Sequence, residues 1–114
     1  MKDFKKLLIW QEGMDLVEDV YRLTSCLPDE ERCGLRSNAT RSAVSMVLHI
    51  TESSLKSGRG DYQSHLKSAM GSAIELETAL MVMLRFGWIN WTDCEDLLRK
   101  VLVGQRLIGS LLNK

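Results

Sequence analysis

Helical periodicity interrupted at three places is the sequence feature that most constrains the fold. Apolar residues recur at every third or fourth position, and no alternating run of β-branched residues signals a strand. The periodicity stops at Leu27-Pro28-Asp29, at Ser57-Gly58-Arg59-Gly60-Asp61 and around Gly87. The pattern predicts four helices, at about residues 3–25, 34–56, 61–86 and 92–113. Because short connections favour antiparallel neighbours, we predict an all-α fold, an antiparallel up-down-up-down four-helix bundle, in a single domain of residues 1–114.

Polar residues at two of the predicted helix starts indicate how these helices are capped. Asp61 follows the glycine-rich break and is predicted to cap the third helix. The run Thr92-Asp93-Cys94-Glu95 has the spacing of a capping box. It predicts Thr92 as the N-cap of the fourth helix, with the Glu95 side chain reaching back.

Small side chains are concentrated on the second and third predicted helices. They are Ser42, Ala43 and Ser45 on one helix, and Ser68, Ala69, Gly71, Ser72 and Ala73 on the other. Because small residues let two helix axes approach closely, we expect these two sets to face each other.

The first helix carries more apolar residues than one bundle core requires. Its rows are Leu7, Met14 and Tyr21, then Trp10, Val17 and Thr24, and on a different side Ile9, Leu16 and Leu23. The fourth helix also has a wide apolar stripe. A helix that is apolar around much of its circumference is usually buried on two sides. We therefore predict a homo-oligomer.

No pattern typical of a catalytic or metal site occurs in the sequence. A di-iron bundle needs Glu-x-x-His on two helices, whereas His49 and Glu52 give the reverse order, once. There is also no Gly-x-Ser-x-Gly elbow for a nucleophilic serine. We expect no catalytic residues, no metal ligands and no cofactor, and hence a protein that is not an enzyme.

Cysteine usage and hydropathy bear on where the protein works. The three cysteines are an odd number, and Met1-Lys2-Asp3 does not open a secretory signal, so we expect a reducing, cytoplasmic setting. No window approaches the roughly 18 consecutive apolar residues of a membrane span. A membrane partner is therefore not expected.

Charge is balanced overall but unevenly placed. The 15 basic and 15 acidic residues cancel, yet residues 7–32 hold seven acids against two bases, and residues 33–74 hold five bases against two acids. This excess predicts a basic face that binds nucleic acid or a partner protein, or that pairs with the acidic first helix of another subunit. Its candidate residues are Arg36, Arg41, Lys56 and Arg59, with the Lys5-Lys6 pair.

One ion pair is a candidate within the bundle. Glu75 and Glu77 flank Leu76 in an apolar helix, so at least one of them is expected near the core unless both are solvated. A partly buried carboxylate needs a partner, and Arg41 is the candidate partner for Glu75.

With these residues in order, the chain resembles the small bacterial four-helix bundle proteins encoded in intervening sequences of large-subunit ribosomal RNA genes. The resemblance begins with Phe4, Leu7, Trp10, Tyr21, Thr24, Leu27-Pro28, Glu31 and Gly34-Leu35, and continues with Arg41, Ala43-Val44-Ser45, Ile50 and Glu52. Its most specific pieces are Ala69-x-Gly71-Ser72-x-x-Glu75-Leu76-Glu77-Thr78 and Phe86-Gly87-Trp88-Ile89. The proline and glycine usual in the family's second helix are absent from Ser45–Ser53, and the basic stretch that follows is reduced to Lys56 and Arg59.

The resemblance implies a four-helix bundle that assembles as a homopentameric ring without enzymatic activity. The family is also similar to the accessory variability protein of diversity-generating retroelements, a basic pentamer that binds a reverse transcriptase and nucleic acid. Two functions are therefore expected: a non-catalytic oligomeric scaffold or binding module, or a nucleic-acid-binding accessory protein that partners a reverse transcriptase or ribosomal RNA.

Overall fold

The computed structural model describes residues 3–114, which are all-α and contain no strand. The helices are α1 (Leu8–Thr24), α2 (Leu35–Leu55), α3 (Arg59–Arg85) and α4 (Trp91–Leu112), with short 3-10 turns at Phe4–Lys6 and Asp29–Glu31. The four predicted helices and the all-α class are confirmed. Met1 and Lys2, the first residues of the predicted domain, lie outside the described residues.

The start of α4 differs from the prediction. Asn90 is the N-cap, and its side-chain oxygen accepts a hydrogen bond of 2.8 Å from the backbone N–H of Asp93. Thr92 already lies inside the helix, so the predicted capping box is wrong. The reason is that Ile89 is buried, which brings the polar Asn90 to the point where the helix begins.

The start of α3 also lies earlier than predicted. Gly58 is the N-cap, and its carbonyl oxygen accepts from the N–H of Tyr62 at 3.0 Å. Asp61 is therefore in the first turn and does not cap the helix, which corrects the prediction. Its carboxylate still lies near the positive end of the helix dipole, where negative charge is favourable.

The end of α3 is set by Gly87, which has φ of +74°. The N–H of Gly87 donates to the carbonyl oxygen of Leu84, and the N–H of Trp88 donates to that of Met83. This is the hydrogen-bond pattern of a Schellman motif, which requires a left-handed residue after the helix. Glycine adopts that conformation without the steric cost that a side chain adds.

The helices pack around one apolar core in the order α1, α2, α3, α4 and back to α1. Each helix contacts the next one along the chain, α4 also contacts α1, and the most extensive contact is between α2 and α3. This order is compatible with the predicted up-down-up-down arrangement.

Small residues form the contact between α2 and α3, as predicted, but the predicted Ser68 and Gly71 are exposed, and a Cβ on Gly71 would meet no atom within 4 Å. Ala43 on α2 and Ala69 and Ala73 on α3 are fully buried, and the hydroxyl of Ser72 lies 3.0 Å from that of Ser45. Close backbone approach brings these hydroxyls within hydrogen-bond distance, which satisfies polar groups in a mostly apolar interface.

The helix α1 packs against α2 through a glycine and a tryptophan. An ideal Cβ built on Gly13 would lie 2.9 Å from Cγ2 of Val47, which is too close for an unperturbed contact. One turn earlier, the indole N–H of Trp10 donates to the hydroxyl of Thr51 at 3.1 Å. Of the predicted rows, Ile9, Leu16 and Thr24 are buried, whereas Met14 and Tyr21 are exposed.

Candidate functional site

The six predicted cationic residues do not form one face. Arg36 and Arg41 lie in the first two turns of α2, whereas Lys56 follows its last residue. At a rise of about 1.5 Å per residue, the twenty residues from Arg36 to Lys56 span about 30 Å. The basic excess of residues 33–74 is therefore divided between the two ends of the bundle.

Four of the six residues share one end, which we call the basic end: Lys5, Lys6, Lys56 and Arg59. The 3-10 turn that holds Lys5 and Lys6 contacts α2, and Arg59 is the first residue of α3. All four side chains are exposed, and within residues 3–114 none of them forms an ion pair with a carboxylate. The Arg59 guanidinium donates to the backbone carbonyl oxygen of Lys114.

The predicted ion pair between Arg41 and Glu75 is not formed. The guanidinium of Arg41 donates to the side-chain oxygen of Asn38 at 2.7 Å, and the carboxylate of Glu75 accepts from the hydroxyl of Ser42 at 3.4 Å. Both charged residues line the same shallow groove between α2 and α3. Because both are exposed, each keeps water and a local neutral partner, so nothing forces them to pair.

An apolar surface runs along α1 and α2 on the outside of the bundle. The hydrogen bond between Trp10 on α1 and Thr51 on α2 shows that the two helices lie side by side at this surface. It is made of exposed Met14, Tyr21, Leu48 and Leu55 with half-buried Trp10, Val17 and Val44, and we call it the α1–α2 face. The side chain of Leu48 is 58% exposed, although residues of this type are usually buried.

A second apolar surface runs along α3 and α4. The amide of Gln105 donates to the carboxylate of Glu77 at 2.8 Å, and a Cβ on Gly109 would lie 3.8 Å from Cε of Met70. These contacts align the two helices. Exposed Met81 and Leu102 lie beside them with half-buried Met70, and we call this set the α3–α4 face.

The two apolar faces lie on opposite sides of the protomer, because each comprises one of two non-adjacent helix contacts. The two sides between them carry polar contacts. On the α2–α3 side, the imidazole of His65 lies 3.5 Å from the carboxylate of Glu52. On the α1–α4 side, the ammonium of Lys100 donates to the carboxylate of Asp19 at 2.7 Å. The groove on the α2–α3 side also has apolar walls, which include Leu35, Ile74 and Val82.

Two groups have shifted pKa values, and each shift has a structural cause. Burial raises the pKa of the Cys94 thiol, which keeps this fully buried cysteine in its less reactive protonated form. The hydrogen bond to Asp19 raises the pKa of Lys100, which stabilises the charged form of that pair. In the part of the chain that the structure describes, no three side chains of His, Cys, Asp or Glu are placed to hold a metal ion.

Sequence reasoning placed surplus apolar residues on the first and fourth helices but missed Leu48 and Met81. The missed signal is the run Met46-Val47-Leu48, since three consecutive apolar residues cover more of a helix than a single buried stripe of about 100°. Among residues 3–114, no helix is both long and apolar enough to cross a membrane.

These features define a small all-α protein of the four-helix class whose surface carries two separate apolar faces and a basic end. Comparison with known proteins is more specific. Residues 5–110 match the sequence model described as 23S rRNA-intervening sequence protein, and the chain belongs to that family. The resemblance seen in the sequence is thereby confirmed at the level of the family.

A solved structure supports the fold independently. The chain is similar to a Bacteroides thetaiotaomicron protein of unknown function from the S23 ribosomal protein family, with 17% sequence identity and a TM-score of 0.84. The alignment covers 94% of this chain and 100% of that one. At this identity the likeness concerns the fold. No curated protein matches the sequence.

Proposed function

We propose that this protein is an up-down-up-down four-helix bundle that assembles into a homo-oligomeric ring. The ring is non-catalytic and serves as a scaffold or binding module. The observation that carries the proposal is the presence of two different apolar faces on opposite sides of one protomer. A pentamer is the expected assembly, by resemblance to the ring-forming relatives described above.

The exposed apolar side chains support assembly because several of them lie on each of the two faces. Single exposed apolar residues are common on proteins, but continuous apolar surfaces usually mark interaction sites. The α1–α2 face combines residues at helical spacing on two helices, and it contains an indole, a phenol and a thioether. Aromatic residues and methionine are enriched at protein interfaces.

The position of the faces favours a head-to-tail contact. If the α1–α2 face of one copy covers the α3–α4 face of the next, every copy keeps one unsatisfied face until the chain of subunits closes. Such heterologous contacts produce rings when the rotation between copies closes, and filaments when it does not. A two-fold dimer through the α1–α2 face alone would leave the α3–α4 face exposed.

Two single substitutions test this arrangement. Leu48→Asp disrupts the α1–α2 face and Met81→Asp disrupts the α3–α4 face, because each buries a charge in the contact. Each variant alone is expected to fail to assemble. Mixed together, they are expected to form a heterodimer, since each retains the face that the other has lost.

Light scattering and native mass spectrometry report the result. Ser68→Asp, at an exposed polar position of α3 that belongs to neither apolar face, is the matched control and is expected to assemble like the unchanged protein. Circular dichroism checks that each variant keeps its helices. Normal assembly of Met81→Asp would refute the head-to-tail contact, and normal assembly of both variants would refute the proposed interface.

A second candidate function is that of a nucleic-acid-binding accessory protein, with ribosomal RNA or a reverse transcriptase complex as the partner. The observation that favours it is the basic end, whose four cations have no acidic partner within the described residues. In a ring with bundle axes along the symmetry axis, every basic end lies on the same rim. A modest charge per chain is then repeated around the assembly.

Binding of a structured RNA across a salt series tests this function. Each phosphate contact is expected to contribute about 0.9 to the negative slope of log K against log salt on a duplex. Lys56→Glu is expected to lower the slope and the affinity, whereas Arg36→Glu, at the opposite end, is expected to change both less. Absence of salt dependence would dismiss phosphate contacts.

A further inference from the structure

The basic end contains a cavity in the apolar core of the bundle. Its volume is about 300 Å³, and its walls come from the first turn of α1, the last turn of α2, the beginning of α3 and the end of α4. Buried Ile9, Ile50 and Leu66 line it, together with half-buried Leu107 and Leu111. The space between helices of a bundle is a common position for a small-molecule site.

The cavity has polar groups on the chain segments that surround its apolar walls. Ser110, Lys114 and Tyr62 line it, and Ser110 and Lys114 are exposed to solvent. The hydroxyls of Ser53 and Ser54 donate to carbonyl oxygens of their own helix, so they are already satisfied. A ligand therefore has apolar walls to fill and a small number of polar groups to meet.

The side chains around the cavity carry a small excess of positive charge. The segments that form this end, residues 3–9, 50–62 and 107–114, carry five basic side chains and three acidic ones. Arg59 and Lys114 are held together at this end, because the Arg59 guanidinium donates to the carbonyl oxygen of Lys114. A negative group beside the cavity is thus attracted, and the attraction weakens with added salt.

We propose that this cavity binds an amphiphilic carboxylate, that is, an unbranched hydrocarbon chain with a carboxylate head, of the medium-chain fatty acid class. The chain occupies the apolar cavity and the head lies near Lys114. A volume of about 300 Å³ is near the lower end of the range for ligand sites, which favours a short chain over a long one.

Chain length gives the first test. Calorimetric titration with hexanoate, octanoate and decanoate, below the concentrations at which they aggregate, is expected to show a dissociation constant that falls about fourfold per added methylene until the cavity is full. A plateau is expected beyond that length. Absence of binding by all three acids would overturn the proposal, as would an affinity that does not depend on chain length.

The head group gives the second test. Decanol and decyltrimethylammonium have an alkyl chain one carbon longer than that of decanoate, but carry no charge and a positive charge, respectively. Decanoate is expected to bind more tightly than both, by a factor that decreases as salt is added. Equal or tighter binding of decyltrimethylammonium would overturn the choice of an anionic ligand.

Variants locate the site. Ser110→Trp, at a solvent-exposed wall position, is expected to fill the cavity and weaken decanoate binding more than tenfold without changing the buried core. Lys114→Glu is expected to weaken it a few-fold, because the contact is exposed. Arg36→Glu, at the other end of the bundle, is the control and is expected to leave binding unchanged. If Ser110→Trp, folded by circular dichroism, binds decanoate as tightly as the unchanged protein, the ligand is not in this cavity and the proposal is wrong.

Discussion

Replacing Gly13 with alanine measures how the contact between α1 and α2 is built. Gly13 is buried in α1, and a Cβ added there would lie 2.9 Å from Cγ2 of Val47 and 3.7 Å from Cε of Met46. The methionine end can move, but Val47 is β-branched and its side chain has one strongly preferred rotamer in a helix. The helices themselves must therefore shift to accept the added methyl group.

Two effects of opposite sign determine the change in the free energy of unfolding. Alanine is more favourable than glycine inside a helix by about 1 kcal/mol. Overpacking a core contact costs about 1–3 kcal/mol. The expected net result for Gly13→Ala is a loss of about 0–2 kcal/mol.

Gly71→Ala is the matched control. Gly71 lies within α3, is exposed, and has no atom within 4 Å of the added Cβ. The Gly71→Ala variant gains the higher helix propensity of alanine without a steric clash, so a stabilisation of about 1 kcal/mol is expected. The two variants should therefore differ by about 1–3 kcal/mol, although both make the same chemical change.

Urea unfolding followed by circular dichroism measures the difference. All samples must have the same protein concentration, because assembly makes stability depend on concentration. A Val47→Ala change in the Gly13→Ala background removes the blocking methyl group, and its cost there should be smaller than in the unchanged protein. If Gly13→Ala stabilises the protein as much as Gly71→Ala does, the proposed close contact between α1 and α2 is wrong.

Three further predictions concern a thiol, an ion pair and a helix cap. Cys94, which is fully buried and has a raised pKa, should resist a thiol reagent until the protein unfolds, while the two exposed cysteines react in the folded state; equal rates would contradict its burial. Because the pKa of Lys100 is raised beside Asp19, this ion pair stabilises the folded protein fully below the ordinary pKa of 10.5. That stabilisation is lost as the pH rises through the raised pKa. The ion pair is partly exposed, so it should make the unchanged protein more stable than Lys100→Met by at most about 1 kcal/mol. Thermal unfolding at increasing pH should show this difference in stability disappearing in that alkaline range. Asn90→Ala should cost about 1 kcal/mol in urea unfolding because it removes the cap of α4, whereas Thr92→Ala should cost much less; the reverse order would restore the capping box.

The helices and their approximate limits followed from the sequence because periodicity and helix breakers are local signals. The N-cap residues were harder to predict from the sequence. Asn90 and Thr92 are both good N-cap residues, and the choice between them depends on the burial of Ile89, which is a tertiary effect. The same limitation affected Asp61, which lies three residues after the N-cap of α3.

The candidate site was less predictable because side-chain composition does not reveal which apolar row faces the core. Ile9 and Leu16 are buried while Met14 and Tyr21 are exposed, although all four fit helical spacing. The surplus on α1 correctly indicated a second apolar surface. Its continuation onto α2 through Leu48 depends on how the two helices pack.

The basic face illustrates a different difficulty. The charge count along the sequence assigned Arg36 and Lys56 to one basic face, but the length of α2 separates them by about 30 Å. The ion pair between Arg41 and Glu75 failed for a related reason. Both residues line one groove between α2 and α3. Because they are exposed, each forms a hydrogen bond with a neutral neighbour, Asn38 for Arg41 and Ser42 for Glu75, and not with the other.

Assembly through the two apolar faces is the central claim, and the mass of the protein in solution tests it most directly. Light scattering coupled to size exclusion should give a multiple of the 12.9 kDa chain mass over a wide range of concentrations, with five subunits as the expected number. A particle that stays at 12.9 kDa at every concentration would contradict the account, because both apolar faces would then remain exposed to water.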